Sequence, residues 1–272
     1  IGLDAYWSQF EGLKERLEGY LKVVEQKLSA IHPHIVNAGL VDNIDKAFDT
    51  GKLFKTEDVG LIILHVTTYA LSSTVLPVVQ RAKVPVIILN LAPEPSIDYK
   101  SFNAMPDRTK MTGEWLAFCS ACPVPEISNV FKRTGVKFHQ ITGTLHNDKT
   151  VWDEVEDWVE AARVANIMFY NRMGCMGHYY SGMLDVYTDL TQQYASFGGH
   201  IELLEVEELA LLRKTVTKKE IKERIAVFYK SFDIQTDCPE EEIEKAAVTS
   251  VALDKLAEKH KFRQGKTAQP PA

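Results

Sequence analysis

The sequence predicts an α/β protein in which a doubly wound parallel sheet is followed by a second, incomplete α/β domain. Two apolar runs of strand length, "VGLIILHV" and "VPVIILNLA", are continuous, as in parallel strands that are covered on both faces. Segments with helical spacing and short connections alternate with such runs, which indicates βα units. These features favour a flavodoxin- or Rossmann-like first domain over residues 1–165 and a second domain over residues 166–272.

Helices and strands alternate along the first domain. A helix over 12–30 is predicted by apolar residues at helical spacing, among them Leu13, Leu17 and Leu28. "HIVNAGLV" is a candidate strand, and "NIDKAFDTGKLF" is predicted to be a helix that begins at an Asn cap and turns at Gly51. The remaining predicted elements are the strand "VGLIILHV", the helix "SSTVLPVVQRA", the strands "VPVIILNLA" and "VKFHQITG", and a helix over 151–165.

The second domain is predicted to contain one βαβ unit followed only by helices. Thr217 and Glu220 fit a capping box, which marks the beginning of one of those helices. A sheet this small needs more strands, and the chain begins without Met and finishes in the polar tail "RQGKTAQPPA", so we expect a fragment of a longer protein. The predicted elements are the strand "NIMFYNRMG", a helix over 183–197, the strand "HIELLEV", and helices over 206–213, 217–229 and 239–260.

Composition excludes several functional classes. The net charge is -6 with mixed signs and no basic stripe, which argues against a nucleic-acid partner. No apolar run reaches the roughly 18 residues of a membrane span, so we expect no membrane association. The chain has 4 cysteines, and this sparse usage predicts a reducing, cytoplasmic location. Cys119 and Cys122 have the CxxC spacing of redox proteins, but their apolar surroundings predict buried helix cysteines instead.

Two loops carry the candidate site, because ligands of open parallel sheets bind outside the carboxyl ends of the strands. In "DAYWSQFEG" the Gln9 amide can donate and accept hydrogen bonds while aromatic rings stack on a sugar. The alternative is a surface loop in which Trp7 and Phe10 cover the core. In "GCMGHYYSGM" glycines allow close backbone approach, a helix start after Gly182 could hold a hydroxyl, and His178 could transfer a proton. A lone histidine is nevertheless more often structural.

Several well-defined catalytic motifs are absent from the sequence. It contains no HExxH, no GxSxG elbow, no P-loop and no GxGxxG. The histidines lack a second ligand group at metal-binding spacing, so a complete metal site within this chain is not expected. From the residues alone, the prediction is an α/β protein with a polar, aromatic-lined crevice for a small hydroxylated ligand.

Three segments resemble the L-arabinose isomerase and L-fucose isomerase superfamily: "GLDAYWSQFEGLKERLEGY", "ITGTLHNDKTVWDEVEDWVEAARVANIMFYNRMG" and "MGHYYSGMLDVYTDLT". The resemblance extends to about His260 and consists of diffuse patterns. It implies a cytoplasmic enzyme of carbohydrate metabolism that interconverts an aldose and a ketose, with a pentose or deoxyhexose as substrate. In that family Mn²⁺ holds two substrate oxygens, and two carboxylates move a proton through an enediol(ate). The family has three domains and forms homotrimers or homohexamers.

The resemblance assigns only substrate-side positions to this chain. The family's metal and acid–base residues occur later, in motifs such as Gly-Glu-Gly-Asp, which is absent here. A family histidine of the first domain aligns with Met111. We therefore expect no catalytic residue and no metal ligand in this chain, and no turnover by it alone. The implied substrate-binding positions are Gln9, Phe10, Met176, His178 and, from their proximity to Met111, Lys110 and Trp115.

Two alternatives from other classes remain at this point. One is a sugar-binding or regulatory α/β module without catalysis, which would require two complete sheets joined by crossing linkers. The other is a flavodoxin-like cofactor protein, although the loops lack the Ser/Thr/Gly-rich cradle that a phosphate requires.

Overall fold

The computed structural model describes residues 1–262 and has a mixed α/β architecture. The chain divides into two compact units, Ile1–Val164 and Ala165–Ala272. The polar tail that suggested a fragment, residues 263–272, lies outside the described residues. Within the described part of the chain, no helix is both long and apolar enough to span a bilayer.

Unit 1 is built on a three-stranded parallel sheet in the order β1-β2-β3. Leu64 of β1 pairs with Ile88 of β2, which in turn pairs with Gln140 of β3. The predictions of strands in "VGLIILHV", "VPVIILNLA" and "VKFHQITG" are confirmed, but in the described residues the sheet has three strands, fewer than a doubly wound sheet requires. The strands are β1 Ile62–Val66, β2 Val86–Ala92 and β3 Phe138–Thr144.

Helices cover both faces of this sheet, which is why β2 is buried along nearly its whole length. Ile88 faces a core shared with α3 and α6, whereas Ile87 faces a second core shared with α1 and α7. The helices of this part of the chain are α1 Leu13–Ile31, α2 Ile44–Thr56, α3 Ser72–Gln80, α4 Tyr99–Asn103, α5 Arg108–Leu116, α6 Val124–Thr134 and α7 Lys149–Phe169.

The predicted strand "HIVNAGLV" is wrong, since residues 34–41 form no strand. Gly39 adopts a left-handed conformation with φ of 70°, and its N–H donates to the Asn37 side chain at 2.8 Å. This local turn interrupts the extended backbone that a ladder needs. The segment still reaches the first residues of the chain, because the Gly2 N–H donates to the Val41 carbonyl at 2.9 Å.

The predicted turn at Gly51 is also wrong, because α2 continues through it to Thr56. The predicted cap is confirmed, since the Asn43 side chain accepts a hydrogen bond from the Lys46 N–H at 3.1 Å. Gly51 serves helix packing instead. A Cβ at this position would lie 2.2 Å from the Pro77 carbonyl oxygen of α3. The absence of a side chain therefore lets α2 and α3 approach each other closely.

The prediction of buried helix cysteines in "CSAC" is contradicted. Cys119 and Cys122 lie in the turn between α5 and α6 and form a disulfide, with their Cα atoms 5.4 Å apart. The helix ends because the N–H groups of Phe118 and Cys119 bond three residues back, as in the 3.1 Å bond from Cys119 to the Leu116 carbonyl. Since this pair is oxidised, the cysteine count no longer supports a reducing compartment.

Unit 2 contains a two-stranded parallel sheet and four helices in its described residues. Gly174 of β4 pairs with Glu202 of β5. The capping box is confirmed, since the Thr217 hydroxyl accepts from the Glu220 N–H while the Glu220 carboxylate accepts from the Thr217 N–H. The elements are β4 Arg172–Met176, β5 His200–Leu204, α8 Leu190–Phe197, α9 Val206–Arg213, α10 Lys218–Ser231 and α11 Glu240–Lys259.

Two predicted elements of unit 2 begin in the wrong place. α7 extends to Phe169, so the "NIMFY" half of the predicted strand is helical and β4 begins at Arg172. A short apolar run fits a buried strand and a buried helix turn equally well. The predicted helix from Met183 starts at Leu190 instead, where the Asp189 side chain caps the first turn. Only a 3-10 turn, Leu184–Val186, precedes it.

Candidate functional site

The candidate site of unit 1 lies beyond the carboxyl ends of the strands, where β1 continues into buried threonines. Thr67 donates from its N–H at 3.2 Å and from its hydroxyl at 2.8 Å to the carbonyl of Ile1. The Thr68 hydroxyl donates to the carbonyl of Leu116 at 2.8 Å. Both side chains are buried. These bonds attach the start of the chain and the end of α5 to the segment that follows β1.

The loop over residues 4–12 is held in place by Trp7. Its indole N–H donates to the buried carboxylate of Asp42 at 2.8 Å, and Lys46 forms an ion pair with the same carboxylate at 2.7 Å. A buried carboxylate is stable only when it is paired in this way. The alternative prediction, that Trp7 and Phe10 cover the core, is confirmed, since both side chains are half-buried and pack against the core cluster around Leu17.

Phe10 joins the loop to α5. Its ring packs edge-on against Tyr6 with centroids 5.8 Å apart, and a Cβ on Gly113 would lie 3.5 Å from it. Gln9 is exposed, and its side-chain N–H donates to the Ala5 carbonyl at 2.6 Å. That bond leaves the Gln9 amide oxygen free to accept a hydrogen bond from a ligand.

Gln9 and Phe10 line an open depression of about 430 Å³ together with three residues from the first half of α5, Arg108, Thr109 and Thr112. The segment around Met111, which the resemblance indicated, thus supplies the second wall, through residues that sequence reasoning did not select. The residues provide a guanidinium, two hydroxyls, an amide and one aromatic ring, which are groups that bind polyols. The depression is shallow and solvent-exposed, so a ligand would be held only on one side.

Lys110 and Trp115 differ in their position on α5. With 3.6 residues per turn, Trp115 falls on the same side of the helix as Arg108 and Thr112. Trp115 is 47% exposed, which leaves its ring accessible next to the depression. Lys110 is exposed and falls on the opposite side of the helix. The geometry therefore favours Trp115 over Lys110 as a ligand contact.

A cluster around Arg16 was not predicted from the sequence. Only the i,i+4 spacing of Arg16 and Tyr20 indicated a contact within it. Arg16 donates to the Tyr20 hydroxyl at 2.6 Å and to Glu114 of α5 at 2.5 Å, and its guanidinium packs over Phe118. Burial alone would lower the pKa of Arg16, but the bonds to Glu114 and Tyr20 raise it. Because the charge is paired and half-buried, we assign the cluster to the attachment of α1 to α5.

His65 of β1 is a buried histidine that sequence reasoning did not select. Its side chain is 5% exposed, and its Nδ1 has no hydrogen-bond partner among residues 1–262. Burial lowers the pKa of His65 to about 3. The imidazole is therefore neutral near pH 7 and is not suited to exchange protons with solvent there.

Met176 and His178 belong to unit 2, at the end of β4 and in the loop that follows. Met176 is half-buried in the strand, and His178 is exposed. The rings of Tyr179 and Tyr187 pack with centroids 5.4 Å apart, and the Tyr179 hydroxyl donates to the Thr188 carbonyl at 3.1 Å. The predicted helix start after Gly182 is wrong, since α8 begins later, so no helix terminus is available there to hold a hydroxyl.

A charged cluster around His260 in unit 2 was also not predicted from the sequence. Its Nδ1 lies 2.6 Å from a Glu202 oxygen, and its Nε2 lies 3.0 Å from both oxygens of Glu208. Two carboxylate partners favour the imidazolium, because only this form donates from both nitrogens. The bonds to Glu202 and Glu208 raise the pKa of His260. Arg172 also pairs with Glu202 at 2.9 Å.

This arrangement predicts a pH-dependent contribution to the stability of unit 2. Because the pKa of His260 is higher in the folded state, its protonation stabilises the folded protein at pH values below the unfolded-state pKa of about 6.5. This stabilisation is lost as the pH rises through the folded-state pKa. The difference in unfolding free energy between wild type and His260→Gln should therefore shrink as the pH rises from below to above about 6.5. Urea unfolding across this range measures it. His146→Gln, at an exposed histidine, is the control. A difference that stays constant or grows with pH contradicts the assignment.

Among residues 1–262, no group of three or more His, Cys, Asp or Glu side chains is arranged to hold a metal ion. The described residues therefore do not fit the manganese that the resemblance implies, and no chemical step is assigned to a metal here. Comparison with protein-family models and with curated proteins finds no match to this chain.

Proposed function

We propose that unit 1 binds a small sugar and that the chain is the substrate-side part of an aldose–ketose isomerase of the L-arabinose and L-fucose isomerase type. The observation that carries the proposal is the depression in which Gln9 and Phe10 meet the first turns of α5. Gln9 and Phe10, which the resemblance implies as substrate-binding positions, lie there beside the hydroxyl and guanidinium groups of α5. These groups suit the hydroxyls and the apolar face of a pentose or deoxyhexose.

The proposal divides the reaction between this chain and groups elsewhere. Gln9, Phe10, Arg108 and Thr112 would orient the sugar, with Trp115 at the rim and Lys110 a weaker candidate. The manganese site and the carboxylate pair that moves the proton through the enediol(ate) would come from a further domain. Met176 and His178 are proposed as substrate contacts of unit 2. A cytoplasmic location and a homotrimer or homohexamer belong to the same proposal.

The proposal also includes a larger sheet in unit 1. The Ile1 nitrogen donates to the His65 carbonyl at 2.8 Å, and the Thr67 N–H donates back to Ile1. On its other side the segment bonds to Val41. One further strand at the position of Ile1, outside β1, would extend the parallel sheet, as a doubly wound arrangement requires. The candidate depression would then follow the first strand, at the carboxyl edge.

Titration calorimetry with L-arabinose and L-fucose tests the binding proposal. We expect saturable binding to the wild-type chain and about fivefold weaker binding by Gln9→Leu, because one charge-free hydrogen bond contributes about 1 kcal/mol. Gln9 is exposed, so its loss should leave the unfolding transition unchanged. Gln26→Leu makes the same change at an exposed position of α1 and should bind like wild type.

The same titration separates the isomerase proposal from its alternative. If neither sugar binds, or if Gln26→Leu weakens binding as much as Gln9→Leu, the site proposal is wrong. Ketose formation by this chain with Mn²⁺ would show that the catalytic groups are present after all. If binding is tight and a supplied catalytic domain adds no turnover, the chain is a sugar-binding or regulatory module.

A further inference from the structure

The disulfide between Cys119 and Cys122 is not explained by sugar binding. It closes the turn between α5 and α6, with a separation of 3 residues along the sequence. Its two halves differ in accessibility: Cys119 is 2% exposed, whereas Cys122 is exposed. A thiolate from solvent can therefore approach only the Cys122 sulfur. This asymmetry is a requirement for directional thiol–disulfide exchange.

The backbone around the pair keeps Cys119 in place. Before it, the Leu116 carbonyl accepts a hydrogen bond from the Thr68 hydroxyl at 2.8 Å, and Leu116 and Ala117 are buried in the core. Ser120, which follows Cys119, is buried as well. Between the two cysteines, the Cys122 N–H bonds to the Cys119 carbonyl at 3.4 Å. Reduction would break the S–S bond without removing these restraints, so the two sulfurs would remain close enough to react again.

The position of Cys122 also favours its thiolate. Cys122 lies two residues before α6, Val124–Thr134, whose N-terminal end carries partial positive charge. The one acidic residue of the first turn, Glu126, accepts hydrogen bonds from the Ser72 hydroxyl and N–H, which directs its carboxylate to α3. The positive end of the helix dipole is therefore not already neutralised by this carboxylate next to Cys122.

We propose that Cys119 and Cys122 form a thiol–disulfide exchange site for small monothiols of the glutathione class, with Cys122 as the reacting sulfur. A monothiol thiolate attacks Cys122 Sγ, the S–S bond breaks, and Cys119 leaves with the electron pair and takes up a proton. A second thiolate attacks the monothiol sulfur of the mixed disulfide and releases Cys122 as thiolate. Two monothiols are oxidised to one disulfide while the protein disulfide is reduced to a dithiol.

The reverse reaction provides the test, in the 272-residue chain carrying Cys175→Ser and Cys238→Ser to remove the free cysteines. Reduced Cys119→Ser and reduced Cys122→Ser are each mixed with glutathione disulfide, and adducts are followed by mass spectrometry. We expect a stable mixed disulfide on Cys122 in Cys119→Ser, formed at least about tenfold faster than on Cys119 in Cys122→Ser. With both cysteines present, the adduct should be resolved and the internal disulfide recovered.

A second measurement avoids the serine variants, in case either fails to fold. The reduced protein with both cysteines is treated briefly with iodoacetamide, and peptide mapping compares the two positions. The proposal expects Cys122 to be alkylated first. Equal rates at the two cysteines, faster reaction at Cys119, or a persistent glutathione adduct when both are present would overturn it. None of these results depends on whether unit 1 binds sugar.

Discussion

Gly51→Ala is expected to lower the free energy of unfolding of unit 1 by about 1–3 kcal/mol. The new Cβ would lie 2.2 Å from the Pro77 carbonyl oxygen, a backbone atom that cannot rotate away. α2 and α3 would have to separate, and buried residues of α3 such as Val78 would lose contacts in the core behind them. Urea unfolding followed by circular dichroism measures the change.

Gly19→Ala is the matched control for this substitution. Gly19 lies in α1, is exposed, and has no atom within 4 Å of a built Cβ. Alanine restricts the unfolded chain and favours helix, so this variant should be more stable than wild type by about 0.5–1 kcal/mol. If Gly51→Ala lowers and Gly19→Ala raises the free energy of unfolding, the results support the close approach of α2 and α3. If both substitutions stabilise, that approach is incorrect.

Phe131→Ala is expected to have the largest effect on stability, a loss of about 3–5 kcal/mol. Phe131 of α6 is 0% exposed and packs edge-on against Phe138 of β3, with ring centroids 5.6 Å apart. Truncation removes this aromatic pair and leaves a cavity between helix and sheet that the surrounding residues can fill only in part. Thermal and urea unfolding of the full-length chain measure the loss.

Two further variants serve as controls for the stability loss in Phe131→Ala. Phe131→Leu keeps most of the buried volume and should lose less than Phe131→Ala. Phe232→Ala removes the same ring from a side chain that is 66% exposed in unit 2, and it should change stability by less than about 1 kcal/mol. If Phe131→Ala and Phe232→Ala cost the same, the core of unit 1 is not organised around α6 as described.

Sequence patterns were most informative where burial was continuous or a cap was local. β1 and β2 were predicted because strands covered on both faces are apolar throughout. The Asn43 cap and the Thr217 capping box were predicted because they involve residues only a few positions apart. The "NIMFY" run was assigned wrongly, since its length is compatible with either a strand or a helix turn.

The candidate site was predictable in part. The loop containing Gln9 and Phe10 was identified from its composition and its position after the first apolar residues, and the α5 segment was identified through the resemblance. Which α5 residues face the loop could not be predicted, because that depends on the rotation of the helix about its axis. Contacts on Gly113 and the pairing of Glu114 with Arg16 set that rotation.

The sequence by itself determined the α/β class, the three central strands and the two loops from which a sugar site is proposed. These properties follow from local periodicity and from residue types that act near their own position. Only the tertiary structure decided the helix packing at Gly51, the disulfide at Cys119 and the His260 cluster. The helix packing and the His260 cluster join residues that are far apart in the sequence, and the disulfide depends on the conformation of the turn between α5 and α6. Residue spacing encodes neither.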